Sequence, residues 1–251
     1  MMLYPFNLDF VNYGDKKIPV AHYPFMFNGK TVPGVLCAVS GRLAGDMICE
    51  KDNSARLALF SALRLDFRRV AGLWQIHSRD LVSAGKDRVP FGVKGDGLVC
   101  AERGIALSVT VADCLPVFLY DTQSGAFALV HSGWKGTGIA VKALELMKEK
   151  WGAKAQSTAA ILGPCIQPCC YNVDKERARV FAADFGGQSV RRGGGTYYLD
   201  LQAANIKLLK DAGVRNIAFC KDCTFTDGRL GSFRREGASY TRMAAVLYFP
   251  G

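Results

Sequence analysis

The amino-acid sequence predicts an α/β or α+β fold with a mixed sheet. Strand-sized apolar runs alternate with helical stretches along most of the 251 residues, which is typical of these fold classes. Hydrophobic residues make up 49% of the chain, which is ample for a full core. No internal repeat or low-complexity tract divides the sequence. We therefore expect one domain that spans residues 1–251.

Apolar runs rich in β-branched residues predict the strands. We expect strands at residues 35–39, 71–76, 105–112, 116–120, 126–130, 159–162 and 216–220. The first thirty residues contain Pro5, Pro19 and Pro24, and they predict only short edge strands and turns. The last apolar run covers residues 243–249.

Capping residues and helical spacing predict the helices. Residues 52–54 and Asp200 stand where helix N-caps are expected, and Asp174 starts a charged helix. The clearest helix covers about residues 137–151. Its apolar residues recur at helical spacing and are Ala140, Ala143, Leu144, Met147 and Trp151.

Composition and charge exclude several classes of partner. The formal net charge is +10, but the basic residues are scattered and form neither a basic helix nor a nucleic-acid motif. The longest apolar runs are strand-sized, and the N-terminus lacks the features of a signal peptide. We therefore expect a cytoplasmic protein with no nucleic-acid or membrane partner. Nine cysteines, an odd number, argue against a disulfide framework.

Three side chains that can bind metal stand just beyond predicted strands. They are His77, Cys114 and His131. The chain has only three histidines, so it is notable that two of them fall in such places. Because α/β sheets usually carry their chemistry just past strand ends, we expect these three residues to form one site.

Imidazole nitrogen and thiolate sulfur are good ligands for Zn²⁺, and a catalytic zinc keeps three protein ligands with one position for water or substrate. The long separations between His77, Cys114 and His131 exclude a zinc finger and suit ligands from separate strands. Zinc would act there as a Lewis acid or activate water. Asp113 could move a proton or orient a ligand, although its position is equally typical of a turn.

The residues alone leave other interpretations open. The two histidines could be partly buried core residues, or zinc could be structural in a non-catalytic protein. Cys114 could be a nucleophile with His131 as its base, as in cysteine hydrolases and deamidases. A zinc site made only of cysteines would draw on Cys165, Cys169, Cys170, Cys220 and Cys223. Buried free thiols are more common than metal ligands in apolar stretches of this kind.

Seven segments carry a family resemblance. In chain order they are QIHS at 75–78, GDGLV at 95–99, TVADCLPVFLYD at 110–121, VHSGWKGT at 130–137, ILGPCIQPCCYNV at 161–173, LDLQAAN at 199–205 and GSFRR at 231–235. With these segments the chain resembles the YfiH-type laccase-domain, or polyphenol oxidase, family over about residues 35–248.

The resemblance implies a zinc-dependent purine nucleoside phosphorylase that is also an adenosine deaminase. The implied reactions are phosphorolysis of adenosine, inosine, guanosine or methylthioadenosine, and hydrolytic deamination of adenosine. The implied metal ligands are His77, Cys114 and His131, and we expect Asp113, Cys114 and His131 to be catalytic. The implied fold is a layered α/β sandwich similar to the catalytic domain of cytotoxic necrotizing factor toxins. The resemblance also makes segment 163–171, GPCIQPCCY, a structural family feature, which weakens the cysteine-only zinc site.

Basic residues are the candidates for binding substrate phosphate, and we expect Arg42, Lys135 and Arg234 in this role. Arg42 follows a predicted strand, and spacing alone favours a solvated turn residue there. The family's early Arg is matched only loosely at this position. The family usually has Arg where this chain has Lys135, and Lys lacks the guanidinium fork that holds an oxyanion in two places. Phe233 stands where the family usually has Tyr.

A multicopper phenol oxidase, which the family's older name suggests, does not fit the ligand inventory. A blue-copper centre needs two His and a Cys, and a further copper cluster needs more imidazoles than the one that is left, His22. Copper could still occupy the zinc site adventitiously, because Cu(II) outcompetes Zn²⁺ at most nitrogen and sulfur ligands. The expected partners are a purine nucleoside and phosphate, with the preferred nucleoside and the oligomeric state left open.

Overall fold

The computed structural model describes residues 1–50 and 52–250. Its strands are β1 (Met2–Tyr4), β2 (Asp9–Tyr13), β3 (Lys16–Phe27), β4 (Lys30–Ser40), β5 (Val70–Trp74), β6 (Leu81–Ser83), β7 (Phe91–Lys94), β8 (Gly97–Cys100), β9 (Ala106–Val111), β10 (Leu115–Asp121), β11 (Phe127–Ser132), β12 (Thr158–Leu162), β13 (Asn172–Val173), β14 (Val190–Gly193), β15 (Thr196–Leu199), β16 (Asn216–Cys220) and β17 (Met243–Tyr248). Its α-helices are α1 (Ser54–Ala62), α2 (Ile139–Trp151), α3 (Lys175–Phe185), α4 (Leu201–Asp211) and α5 (Phe233–Glu236). Within these described residues, no helix combines the length and the apolar character that a membrane span requires.

Two seven-stranded mixed sheets form the centre of the molecule. The first sheet has the strand order β1-β16-β12-β10-β11-β8-β6, and the second has the order β2-β3-β4-β17-β9-β5-β7. In the first sheet, the antiparallel strands β12, β10, β11 and β8 are flanked by parallel pairings. In the second, β5 pairs in parallel with both β7 and β9, and the other pairs are antiparallel. A small antiparallel sheet has the order β13-β15-β14.

The two large sheets pack face to face, and helices cover their outer faces. Phe118 of the first sheet and Leu247 of the second belong to one buried apolar cluster between the sheets. Ala143 of α2 packs in a second cluster against the first sheet, and Phe60 of α1 packs in a third against the second sheet. Because both faces of each sheet are covered, β10 and β17 are buried along their whole length. This arrangement confirms the predicted layered α/β sandwich with mixed sheets.

Several predicted elements appear with shifted ends. The strand expected at residues 71–76 ends at Trp74, because the chain turns before His77, which adopts a φ of 56°. The helix expected at residues 137–151 begins at Ile139, because Gly138 has a left-handed φ of 99°. Both shifts place a turn beside the residues that were predicted to form the site.

The expectation of only short edge strands in the first thirty residues is wrong. The twelve-residue strand β3 pairs with β2 on one side and with β4 on the other, although it contains Pro19 and Pro24. The β3–β4 register shifts between Pro24 and Met26, which is the kind of irregularity that accommodates a proline without a backbone donor.

Candidate metal centre and its cavity

Three side chains from different parts of the two sheets converge at one point. His77 follows β5 of the second sheet, Cys114 lies between β9 of the second sheet and β10 of the first, and His131 lies within β11 of the first. One ligand atom from each residue lies within 4.8 Å of the other two. The ring centroids of the two histidines are 4.9 Å apart. The structure therefore brings together the three residues that the sequence singled out.

His77, and Asp113 next to Cys114, adopt backbone conformations that are unusual for residues other than glycine. His77 has a φ of 56° and Asp113 a φ of 88°. Such conformations persist only where the surroundings impose them. The amide of His77 donates to Asp96 at 3.0 Å. The carboxylate of Asp113 accepts from the Thr224 hydroxyl at 2.5 Å and from the Arg234 amide at 2.7 Å, so both residues are fixed by hydrogen bonds.

The carboxylate of Asp96 organises the turn that carries His77. It is completely buried, and it accepts hydrogen bonds from the amides of Ile76, His77 and Ser78 at 3.2, 3.0 and 2.7 Å. The Ser78 hydroxyl donates to it at 2.8 Å, and Nδ1 of His131 lies 2.9 Å from Oδ1. Burial acts to raise the pKa of Asp96, but the hydrogen bonds outweigh burial and lower that pKa to about 2. One anion therefore orients two candidate ligands.

The thiol of Cys114 and the imidazole of His131 shift each other's protonation. Burial acts to raise the pKa of Cys114, but His131 and His77 outweigh burial and lower that pKa to about 6. Burial acts to lower the pKa of His131, but Cys114 and Asp96 outweigh burial and raise that pKa to about 9. In metal-free protein near neutral pH, the pair is therefore a thiolate beside an imidazolium. The thiolate is the form of cysteine that binds metals and attacks electrophiles.

The donor set and the space around it fit Zn²⁺. Because Nδ1 of His131 is engaged by Asp96, Nε2 is the ring atom available as a ligand, and such carboxylate–histidine pairs orient many metal sites. A Cβ atom at Gly133 would lie 2.9 Å from Sγ of Cys114 and 3.4 Å from Nδ1 of His77. Glycine at this position therefore keeps the ligand atoms clear. Two imidazoles and one thiolate match the three protein ligands of a catalytic zinc site.

A cavity of about 650 Å³ has the candidate ligands in its wall. That volume suits a small-molecule ligand. Aromatic side chains contribute much of its lining, and they are Trp74, Trp134, Tyr171, Phe233 and Tyr240. The side chains of Trp74 and Phe233 are unusually open to solvent for rings of this size, with 50% and 56% of their surfaces exposed. Exposed rings at a cavity wall are available to stack against a flat ligand.

Four cationic side chains line the same cavity, and they are Lys135, Arg177, Arg234 and Arg242. All four lie over aromatic rings. The guanidinium of Arg177 lies 4.8 Å from the ring centroid of Trp134, and that of Arg234 lies 5.5 Å from the ring centroid of Tyr171. These contacts hold the guanidinium groups at the cavity wall while leaving their N–H donors to other partners.

The cavity cations differ in how well their charge is compensated. Arg242 forms an ion pair with Asp46 at 2.7 Å, whereas Arg177 approaches Asp174 only to 3.8 Å. Among residues 1–50 and 52–250, no carboxylate forms an ion pair with Lys135 or Arg234. The cavity therefore presents positive charge that an anionic ligand can neutralise.

The structure brings two of the three predicted substrate-binding residues to the cavity. Lys135 and Arg234 line it, and Nη1 of Arg234 donates to the side-chain oxygen of Asn172 at 2.5 Å. Arg42 does not line it. The Nε atom of Arg42 donates to the carbonyl of Gly228 at 3.1 Å, as a residue of a surface turn would.

The sequence reasoning missed Asp96 and Arg177. The signal for Asp96 was present, because an acidic residue directly precedes β8, a strand in which all four residues are buried. A carboxylate at such a boundary needs several donors. Arg177 lies in the first turn of α3 among other charged residues, and nothing in the spacing distinguishes it from a solvated arginine.

The sequence matches a family model over residues 49–250, and that model is described as multi-copper polyphenol oxidoreductase laccase. The chain belongs to this family. The resemblance to the laccase-domain family in the seven sequence segments is thereby confirmed.

Relatives of this laccase-domain chain include proteins named as nucleoside enzymes. A purine nucleoside phosphorylase of Corynebacterium glutamicum is 36% identical over 204 residues, which cover 79% of this chain and 80% of the relative. A purine nucleoside phosphorylase of Deinococcus radiodurans is 35% identical over 201 residues, which cover 79% and 77% of the two chains.

Solved structures share the fold of the laccase-domain chain. The crystal structure of YlmD from Geobacillus stearothermophilus superposes with a TM-score of 0.81 and covers 97% of this chain and 100% of its own, at 24% identity. The hypothetical protein YfiH of Bacillus licheniformis gives a TM-score of 0.77 at 23% identity and covers 86% and 92% of the two chains.

This laccase-domain chain has too few histidines for the multicopper site that the family description names. The full sequence contains three histidines. The third, His22, pairs with Ala38 within the second sheet and does not line the cavity. A multicopper cluster built on histidine ligands therefore cannot be assembled beside His77 and His131.

Asp96→Asn is expected to weaken Zn²⁺ binding about 10- to 100-fold, because His131 loses its anionic partner while the shape of residue 96 is kept. Competition with a chromophoric chelator measures the change in Kd. Asp121→Asn is the matched control, since Asp121 is also buried and hydrogen-bonded but lies outside the cavity. If Asp96→Asn and wild-type protein bind zinc equally well, the organising role of Asp96 is wrong.

In metal-stripped protein, alkylation of Cys114 by iodoacetamide is expected to reach a plateau between pH 7 and pH 9 and to slow below pH 6. The reason is that the lowered pKa of Cys114, about 6, makes the thiolate the main form above that pH. Mass spectrometry of peptides follows each cysteine separately. Cys169 serves as the internal control. It is accessible to the reagent, but partial burial of its thiol raises its pKa, so its alkylation rate should still increase at pH 9. Added Zn²⁺ should protect Cys114. In the metal-stripped protein, a Cys114 rate whose pH dependence follows that of Cys169 would contradict the thiolate assignment.

Proposed function

We propose that this chain is a zinc-dependent purine nucleoside phosphorylase. The observation that carries the proposal is one cavity that combines a His-Cys-His ligand set, cationic side chains and exposed aromatic rings. A purine nucleoside offers a flat base, and phosphate offers an anion, so each substrate has a chemical counterpart in this cavity. The names of the relatives in Corynebacterium glutamicum and Deinococcus radiodurans support the same reaction.

Aromatic side chains are proposed to bind the purine base. Phe233 packs edge-on against Tyr240, with ring centroids 5.1 Å apart, and leaves more than half of its surface exposed. Trp74 offers a second exposed ring to the same cavity. Because Phe233 has no hydroxyl, its contribution is stacking alone. Nucleosides with different exocyclic groups, namely adenosine, inosine, guanosine and methylthioadenosine, present the same flat surface to these rings.

Lys135, Arg177 and Arg234 are proposed to bind phosphate. In phosphorolysis, a phosphate oxygen forms a bond to the anomeric carbon of the ribose while the bond from that carbon to the base breaks. The electron pair leaves with the base, which then takes up a proton. Arg177 and Arg234 have planar donor groups that match phosphate oxygens, and Lys135 adds a point charge. Holding the anion next to the sugar removes much of the entropic cost of the encounter.

Zn²⁺ held by His77, Cys114 and His131 would supply Lewis-acid catalysis at neutral pH. The chain's own residues prepare this site. Asp96 orients His131 and the turn of His77, and Gly133 keeps the ligand atoms clear. The fit is supported by the chemistry of the donor set, since a thiolate and two imidazoles favour zinc over hard cations.

Asp113 is proposed to be a positioning residue. Both of its oxygens accept hydrogen bonds, one from Thr224 and one from the backbone of Arg234. Since it directly precedes Cys114, it ties a candidate metal ligand to the segment that carries a candidate phosphate ligand. Of the two roles that the sequence suggested for Asp113, proton transfer and orientation of a ligand, we propose the second.

Hydrolytic deamination of adenosine is the second candidate activity for the same cavity. The observation in its favour is the ligand set, since zinc deaminases hold their metal through three His and Cys side chains. Those enzymes also use a carboxylate that is not a ligand to move protons. Asp113 is the carboxylate adjacent to Cys114 in the cavity wall, and its oxygens are already engaged. We therefore propose phosphorolysis as the main reaction.

Zinc-loaded protein is expected to convert adenosine to adenine and ribose 1-phosphate only when phosphate is present, and His77→Ala is expected to lose this activity. Chromatography with mass detection resolves the products, and inosine formed without phosphate would identify deamination. His22→Ala is the matched control, because His22 is the one histidine outside the cavity and its removal should leave turnover unchanged.

Two outcomes would contradict the zinc phosphorylase. If none of the four nucleosides is consumed by protein that holds zinc at the site, the proposed reaction is wrong. If a chelator increases hydrolysis of amide substrates and Cys114→Ala abolishes it, the thiolate–imidazolium pair acts instead as the nucleophile and base of a cysteine hydrolase.

Arg177→Gln is expected to raise the KM for phosphate about 10-fold or more, because a charge-assisted hydrogen bond to the anion is lost. Steady-state kinetics at varied phosphate and saturating nucleoside measures this change. Arg179→Gln is the matched control, since Arg179 lies on the same helix but pairs with Glu176 at the surface. An unchanged KM for phosphate in Arg177→Gln would remove Arg177 from the phosphate site.

A further inference from the structure

A second group of potential metal ligands lies outside the His-Cys-His site. It consists of Cys169, Cys170 and Cys223, whose Sγ atoms all lie within 4.8 Å of one another. The Sγ atoms of the two adjacent cysteines are 3.3 Å apart. Four Zn–S bonds of about 2.3 Å in a tetrahedral site would place sulfur atoms about 3.8 Å apart. The three thiols therefore already stand at separations close to those of a thiolate metal site.

The backbone on both sides of this cysteine cluster is held in place. Cys165 and Cys223 form an isolated parallel β-bridge, in which the amide of Thr224 donates to the carbonyl of Cys165 at 3.2 Å. The amide of Gln167 donates to Sγ of Cys223 at 3.3 Å. Hydrogen bonds from amides to sulfur are typical of the shell around metal-bound thiolates, because they support the negative charge on sulfur. The segments 165–171 and 220–224 therefore present the three thiols as a unit.

The cluster has an entry path from solvent. Cys169 is exposed and Cys223 is buried, and both line a second cavity of about 880 Å³. Asp222 and Asp227 line the same cavity, and Arg229 forms ion pairs with both, so their charge is compensated within the cavity wall. A site with three protein ligands and a cavity on one side can complete its coordination with water.

We propose that Cys169, Cys170 and Cys223 form a second metal site, which takes a thiophilic cation of the Zn²⁺ class through three thiolates. Sulfur ligands select such ions over hard cations such as Mg²⁺ and Ca²⁺. The site differs from the His-Cys-His centre in all of its ligands and in the cavity that it faces. It does not depend on the reaction proposed for that centre.

A cation at the cysteine cluster stabilises the wall of the first cavity. Tyr171, which lies next to Cys170, lines the first cavity beneath the guanidinium of Arg234. Thr224, which lies next to Cys223, donates to the carboxylate of Asp113. One bound ion would therefore cross-link the two segments that support these contacts, in the way that structural zinc ions fasten loops together.

Metal stoichiometry tests this second site. Protein that has been reduced, stripped of metal, loaded with Zn²⁺ and desalted should carry two zinc ions per chain by elemental analysis. Cys114→Ser should keep one ion, and the double variant Cys169→Ser/Cys170→Ser should also keep one. The combination of all three substitutions should keep none. Cys100→Ser is the control for loss of a cysteine outside both clusters and should keep two.

A second readout identifies the ligands. Cadmium-113 NMR of Cd²⁺-loaded protein should show one resonance in the range of coordination by three sulfur atoms, which survives in Cys114→Ser and disappears in the Cys169/Cys170 double variant. Chelator competition should show that this double variant weakens zinc binding at the cluster by more than the roughly 100-fold that loss of an outer-shell partner costs. Circular dichroism of the double variant tests whether it keeps its fold, and a variant with native-like spectra is the one used for the comparison.

The proposal is overturned if Cys114→Ser binds no zinc, or if the Cys169/Cys170 double variant binds as much zinc as wild-type protein. It is also overturned if two of the three thiols form a disulfide and the cluster still binds no metal after reduction. An active phosphorylase with one zinc per chain would reject the cysteine site alone. An inactive protein with two zinc ions per chain would reject the proposed reaction and keep the site.

Discussion

The candidate metal centre depends on the buried carboxylate of Asp96. Burying a charge is costly unless hydrogen bonds compensate it, and here three consecutive amides, a hydroxyl and an imidazole do so. The same bonds hold His77 in a left-handed backbone conformation and fix the ring of His131. The hydrogen bonds that stabilise the buried carboxylate therefore also set the geometry of the site. Without Asp96, the turn after β5 would lose the hydrogen bonds that link it to His131 on β11.

The layered fold explains why the ligands meet where they do. His77 follows the second sheet, His131 belongs to the first, and Cys114 lies where the chain passes from β9 in one sheet to β10 in the other. Facing sheets are bridged at this crossing, and the cavity opens beside it. Helices α3 and α5 then add Arg177 and Arg234 from outside the sheets. The sheets position the candidate metal ligands, and the two helices supply two of the four cavity cations.

The sequence predicted residues whose chemistry is rare and missed those whose type is common. Two of three histidines beyond apolar runs were a strong signal, so the convergence of His77 and His131 with Cys114 was predicted. Asp96 and Arg177 belong to abundant residue types, and only their three-dimensional surroundings reveal what they contact. Strand β3 was missed because proline normally interrupts strands, whereas here a register shift accommodates it. A cysteine-only metal site was one of the interpretations that the sequence left open, and three of its five cysteines, from segments about fifty residues apart, lie together in the structure.

The passage of the chain between the two sheets at Asp113 and Cys114 links the ligand cluster to the fold as a whole. An unfolded chain cannot hold three such distant ligands together, so an ion that binds them selects the folded state. By mass action, each tenfold rise in free metal above Kd then adds about 1.4 kcal/mol to the free energy of unfolding. With the proposed ion at this site, the melting temperature of the protein would report the free metal concentration around it.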